Sequence, residues 1–195
     1  MTKVLAVNNY PSLERFERLK VCLEQAGASV VTKGKDECST SLFNDFDGVA
    51  VSGSPDMLSN PKTVKKYEAE LEAIGQTNAP ILGVCFGHQL LAVAFGTEVI
   101  QAQRPVLGFV NTKILVDDPL FSGLPRTSMF LESRHEIVKG LPDGFNLLAM
   151  SVESPVAAMK HKARPLYGVQ SHPERYSSEN PAGKRLVSNF VRILS

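Results

Sequence analysis

The chain has 195 residues, 43% hydrophobic and 21% charged, enough to bury a full core within one domain spanning 1–195. A net charge of +1 gives no electrostatic footprint for nucleic acid or an anionic membrane, which leaves small polar substrates or protein partners. No basic segment followed by an apolar stretch opens the chain and nowhere do 18 apolar residues run together, so the expected location is the cytoplasm. Cysteines at 22, 38 and 85 are odd in number and lack C-x-x-C spacing, so neither a disulfide framework nor a metal site is expected.

In chain order, "KVLAV" (3–7) reads as a buried strand. Ser12 then caps a helix whose Leu13, Phe16, Leu19, Leu23 and Ala26 form one stripe ending at Gly27. "ASVVT" (28–32), "DGVAVSG" (47–53) and "APILGV" (79–84) read as strands, with one helix over 61–75 opened by Asn60-Pro61. This β-α alternation predicts an α/β fold: an open, mostly parallel, flavodoxin-like sheet with helices on both faces. After Gly96 the pattern becomes short strands near 97–101, 110–116, 127–131, 145–150, 156–160 and 166–170, read as a small antiparallel extension. A last helix follows Asn180-Pro181.

Chemistry concentrates where "PILGV" meets "CFGHQLL". Gly83-x-Cys85-x-Gly87 has the spacing of a nucleophile elbow, in which small flanking residues let a strained strand-to-helix turn expose the central side chain. The helix opening at Phe86 offers unpaired N–H groups and a positive dipole end, which favour a thiolate and can hold an oxyanion. The alternative is a small buried hydrophobe between two packing glycines. A nucleophile needs a base, and His172 in "SHPE" is the best of four histidines: in an extended segment Glu174 shares its face and can orient its ring. His88, three residues after Cys85, suits a supporting role; His135 and His161 sit in polar, surface-like stretches. The turn "GSP" after the 47–53 strand can supply a second oxyanion donor from Gly53 or Ser54. No G-x-G-x-x-G or Walker A pattern supports nucleotide binding.

With "SGSP", "PILGVCFGHQLLAVAFG" and "PLYGVQSHPE" in this order, the chain resembles the class I, triad-type glutamine amidotransferases over nearly its whole length. The resemblance implies Cys85 as nucleophile, His172 as acid/base, Glu174 as orienter, an oxyanion hole from Phe86 and the 53/54 turn, and Gln89 lining a glutamine pocket. Within the family, "PVAAMKHKARPLYGVQSHPE" is similar to the small glutaminase chains of archaeal-type GMP synthases. That implies a separate ATP-dependent synthetase partner, with ATP and Mg²⁺ there and no cofactor here. The chain departs from the family pattern at Ser54 (commonly Gly), Ser171 (commonly Phe), Arg134 (where His is expected) and 104–110, which lacks a hydroxyl. Arg104, Arg134, Lys160, Lys162, Arg164 and Arg175 are candidates for a docking face, against the alternative of ordinary solvated surface. A free-standing γ-glutamyl hydrolase or transferase, and a non-enzymatic relative, are the competing expectations.

Overall fold

The computed structural model describes residues 1–195. Strands β1 (Lys3–Asn8), β2 (Ser29–Gly34), β3 (Gly48–Val51), β4 (Ile81–Val84) and β9 (Leu166–Val169) pair in parallel in the order β2-β1-β3-β4-β9. That is the doubly wound arrangement whose strand carboxyl ends open onto a ligand crevice. The same sheet continues antiparallel as β9-β8-β7-β5-β6, with β5 (Val99–Ile114), β6 (Thr127–Val138), β7 (Phe145–Met150) and β8 (Ala158–His161) completing nine strands.

Buried parallel strands need apolar residues on both faces, and β1 supplies them by simple alternation. Val4 and Ala6 join one core with Phe16 and Leu19 of α1 (Leu13–Gln25) and Phe190 of α6 (Ala182–Ile193). Leu5 and Val7 join the other with Phe43 of α2 (Thr40–Asn44), Ile74 of α4 (Glu68–Gln76) and Leu90 of α5 (Phe86–Ala94). Each fully buried Leu or Phe contributes about 1.5–3 kcal/mol relative to exposure, so a one-residue slip of β1 would exchange these faces against every neighbour.

Several boundaries differ from the sequence expectation, each for a physical reason. Ser12 stands at the N-cap of α1 but its hydroxyl makes no capping bond, and Leu13 is 66% exposed, with Cys22 taking its place in the buried stripe. The single helix expected over 61–75 is two, α3 (Pro61–Lys66) and α4, broken at Tyr67, where φ is −108° and ψ 16°. Asn60 does cap α3, its side chain accepting from Lys62 N–H at 3.0 Å. The strands expected near 97–101 and 110–116 are one strand, β5, carried across 102–109 by an irregularity between Gln101 and Val106. Its partner β6 runs seven residues past Leu131, to Val138.

Candidate active site

Cys85 leaves β4 at its carboxyl end and begins α5 with φ 52° and ψ −99°, the only non-glycine residue with positive φ. A left-handed backbone of this kind costs of order 1–3 kcal/mol and persists only where its surroundings enforce it. Here close packing enforces it. A Cβ on Gly83 would lie 2.5 Å from the Gly87 carbonyl oxygen, and one on Gly87 would fall onto the Val51 carbonyl, so only glycine lets β3, β4 and α5 approach this closely. The first intrahelical bond of α5 runs from Gln89 N–H to the Cys85 carbonyl at 3.1 Å, which leaves the Phe86 N–H free at the helix start.

The Cys85 thiol lines a cleft of about 580 Å³, together with Tyr10, Ser54, Phe86, Gln89 and His172. Its sulfur lies 3.9 Å from the Ser133 carbonyl and accepts from Gln170 Nε2 at 3.7 Å. The His172 ring, 3% exposed, is held through Nδ1 by Glu174 Oε1 at 2.8 Å. Burial opposes a charge on this imidazole, yet the facing Cys85 and Glu174 charges and bonds hold its pKa well above the ordinary value. The ring therefore favours its charged form beside the Cys85 sulfur.

The sequence named the right pair for an incomplete reason. Residues 173–175 form a 3-10 turn rather than the extended segment expected, and the turn, not strand alternation, brings Glu174 to His172. The backbone of His172 is pinned independently, its N–H donating to the Leu131 carbonyl of β6 at 2.7 Å. Gly53 packs directly against the ring: a Cβ there would stand 2.9 Å from His172 Cε1 and overlap the Tyr10 hydroxyl. Ser54, where the sequence departs from the family, has its hydroxyl 3.2 Å from the Tyr67 phenol oxygen. Gln89 donates to the Glu136 carbonyl at 3.0 Å and to Gln170 Oε1 at 3.3 Å, joining α5, β6 and the end of β9 behind the cleft.

Other expectations shift. His88 is fully buried and directed at the Gly168 and Val156 backbone, outside strict hydrogen-bond geometry, and burial lowers its pKa to about 4. It is a neutral packing residue. His135 is exposed on β6 but lines the cleft, and His161 packs edge-on against Phe145, 5.1 Å between ring centres. The six-residue basic face does not exist as such. Arg134 is buried on Glu132, Lys160 bonds Asp118 at 2.9 Å, and Arg164 donates to the Gly75 and Thr77 carbonyls, leaving Arg104 and Lys162 toward solvent and Arg175 half-buried in the lining of the cleft. Tyr10, Gln170 and Glu136 were not anticipated. Glu136 anchors the loop after β3 through bonds from Leu58 N–H at 2.7 Å and Ser59 N–H at 3.1 Å.

The chain is similar in sequence and fold to known proteins. The family model for glutamine amidotransferase class-I matches residues 5–194. The glutamine-hydrolysing GMP synthase subunit of Thermococcus kodakarensis is 41% identical over 146 residues, 75% of this chain and 74% of that one. The corresponding GMP synthase subunit of Methanosarcina mazei is 33% identical over 192 residues, 98% and 96% of the two chains. The crystal structure of a protein described as a GMP synthase subunit from Thermoplasma acidophilum superimposes with a TM-score of 0.88 at 29% identity, covering 100% of this chain and 94% of that one. The chain belongs to the class I glutamine amidotransferase family.

Proposed function

We propose that this chain is a glutaminase subunit that hydrolyses glutamine through a thioester on Cys85 and delivers the ammonia to a separate ATP-dependent synthetase, which converts XMP to GMP. The observation that carries the reading is the buried His172–Glu174 pair facing Cys85 on its strained elbow. The Cys85 thiolate adds to the side-chain carboxamide carbon, and the oxygen that takes up the electron pair is held by the Phe86 N–H and an N–H of the Gly53/Ser54 turn. His172 gives its proton to the departing nitrogen, so ammonia leaves and a γ-glutamyl thioester remains. Water then adds as His172 removes its proton, the C–S bond breaks, and glutamate leaves with the thiolate restored. Gln89 lines the pocket that holds the amide. This half needs no cofactor; ATP and Mg²⁺ belong to the synthetase.

GMP formation is the test. The purified chain, combined with an XMP-aminating synthetase, ATP, Mg²⁺ and XMP, is expected to support GMP synthesis from glutamine and to release one glutamate per GMP. Glutamine hydrolysis with GMP formed only from added ammonium salts would reject the coupling, and turnover of another γ-glutamyl compound in preference to glutamine would reject the substrate.

The His172–Glu174 bond carries a second expectation. Because the Cys85 and Glu174 charges raise the His172 pKa, the imidazolium persists below that pKa and is lost as pH rises through it. Glu174→Gln removes one of those charges, so the alkaline limb of glutaminase activity should move to lower pH. The rate should fall by roughly 10²-fold, the lower end of an acid/base contribution. A pH–rate profile of the variant that overlays the wild type would show that Glu174 does not tune the ring.

A further inference from the structure

The Gly53/Ser54 turn is held from behind by two residues of the helix pair that no bond of the reaction uses. Tyr67, at the break between α3 and α4, closes a ring of polar contacts around the turn. The Ser54 hydroxyl donates to the phenol oxygen at 3.2 Å, the phenol donates to Asp56 Oδ2 at 3.1 Å, and Asp56 N–H donates to Ser54 Oγ at 3.1 Å. Each hydroxyl proton is used once, so the ring is self-consistent. The aromatic face of Tyr67 also packs on Phe86, with ring centres 4.8 Å apart, and so touches the residue whose N–H opens α5.

Glu70 lies one turn further along and is completely buried. Its Oε1 accepts from Asn9 Nδ2 at 3.1 Å, while Oε2 has no partner. Asn9 in turn donates its backbone N–H to Ser52 Oγ at 2.9 Å, and the Ser52 hydroxyl donates to the Gly53 carbonyl at 2.9 Å. That last contact fixes the peptide joining Gly53 to Ser54, whose N–H is one of the two candidate oxyanion donors. A carboxylate this buried, with one amide bond, is an expensive way to support a fold unless its neutral form is the working one. Burial pushes its pKa up to about 8, against the lowering effects of the Asn9 amide and Lys35; Cys38 and Tyr67 also face it.

We propose that Tyr67 and Glu70 are positioning residues for the oxyanion turn, Tyr67 through Ser54 and Asp56, Glu70 through Asn9 and Ser52. The break between α3 and α4 then has a purpose: it places residues 67 and 70 on one side, where each reaches one end of the turn. Orientation of this peptide matters only once the carbonyl oxygen becomes an anion, so its loss is expected in kcat rather than KM.

The inference rests on the glutaminase reading and is tested beside it. Glutamate release is measured for Tyr67→Phe, Glu70→Leu and Glu70→Gln, with rates normalised to the fraction of Cys85 alkylated by a glutamine-like chloroketone. Normalisation removes any loss due to misfolded protein. Tyr67→Phe keeps the ring on Phe86 and should lower normalised kcat on the order of tenfold with KM within about twofold, an effect below that of deleting a whole oxyanion donor. Glu70→Leu should do the same, while Glu70→Gln, isosteric and neutral, should restore kcat and retain it above pH 8, where the wild type declines. Unchanged normalised kcat in Tyr67→Phe and Glu70→Leu would overturn the proposal, and a Glu70→Gln profile identical to wild type above pH 8 would remove Glu70 from it. A wild type that neither releases glutamate nor alkylates at Cys85 would defeat the glutaminase reading and this inference with it.

Discussion

Cys85→Ala is expected to lower glutamate release from glutamine by at least roughly 10³-fold, the scale on which loss of a nucleophile acts when the rest of the site is intact. The remaining rate would come from the oxyanion donors and bound substrate alone. The other cysteines cannot substitute: Cys22 and Cys38 are buried in the two cores, and burial pushes the Cys22 thiol up to about 12 and raises Cys38 as well. Alkylation of the native protein should therefore label one residue, and the label should block turnover. A companion variant separates chemistry from strain. Cys85→Gly removes the same thiol but suits φ 52°, so its melting temperature should rise above that of Cys85→Ala. Glutaminase activity surviving in Cys85→Ala would place the nucleophile elsewhere. Equal melting temperatures for the two variants would mean that the elbow is not strained.

The elbow was legible because its requirements are local. A strand end, two glycines and a cysteine lie within five residues, and the backbone geometry they permit does not depend on distant partners. The parallel half of the sheet was legible for a similar reason: each β-α unit carries its own apolar pattern and its own helix start. What failed was pattern interrupted by polar residues. Segment 102–109 contains Pro105 and Gly108, both signals for a loop, yet β5 runs through them because β6 offers a long pairing edge from Thr127 to Val138. Tyr67 breaks a helix that the apolar periodicity carried straight on, and nothing local announces the break.

The cleft lining shows the same division. Tyr10 and Glu136 line the cleft from two separate strand ends, and Gln170 reaches the Cys85 sulfur from a third, so they come together only after the sheet has formed. Gln170 stands two residues before His172, so adjacency to the motif was the one available signal. Glu136 could have been found from period-2 reasoning, had β6 been extended: Ser128, Phe130, Glu132, Arg134, Glu136 and Val138 alternate with more exposed residues along one buried row. A charged row facing inward is a poor strand signal, and "ESRHEI" therefore resembled surface.

Arg134, in that row, carries the largest stability effect expected of any residue outside the catalytic triad. Its side chain and that of Glu132 are each 1% exposed, and Nε donates to Glu132 Oε2 at 2.7 Å. The Ser154 hydroxyl donates to the same oxygen at 2.9 Å, and Arg134 also donates to the Glu153 carbonyl, so the pair ties β6 to the loop before β8. In a dry site the attraction between two charges offsets their lost hydration only while both are present. Arg134→Met leaves the Glu132 carboxylate buried without its cation and should cost about 3–5 kcal/mol. For a chain of this size that corresponds to a fall of roughly 10 °C in melting temperature. Arg134→Met combined with Glu132→Leu removes both charges and should recover most of the loss, since replacing a whole buried pair by apolar groups is often neutral. Melting curves of the wild type, the single variant and the double variant decide it. A single variant that melts with the wild type would mean that water reaches this pair, and a double variant no better than the single would mean that packing, rather than charge, holds β6 to its neighbouring loop.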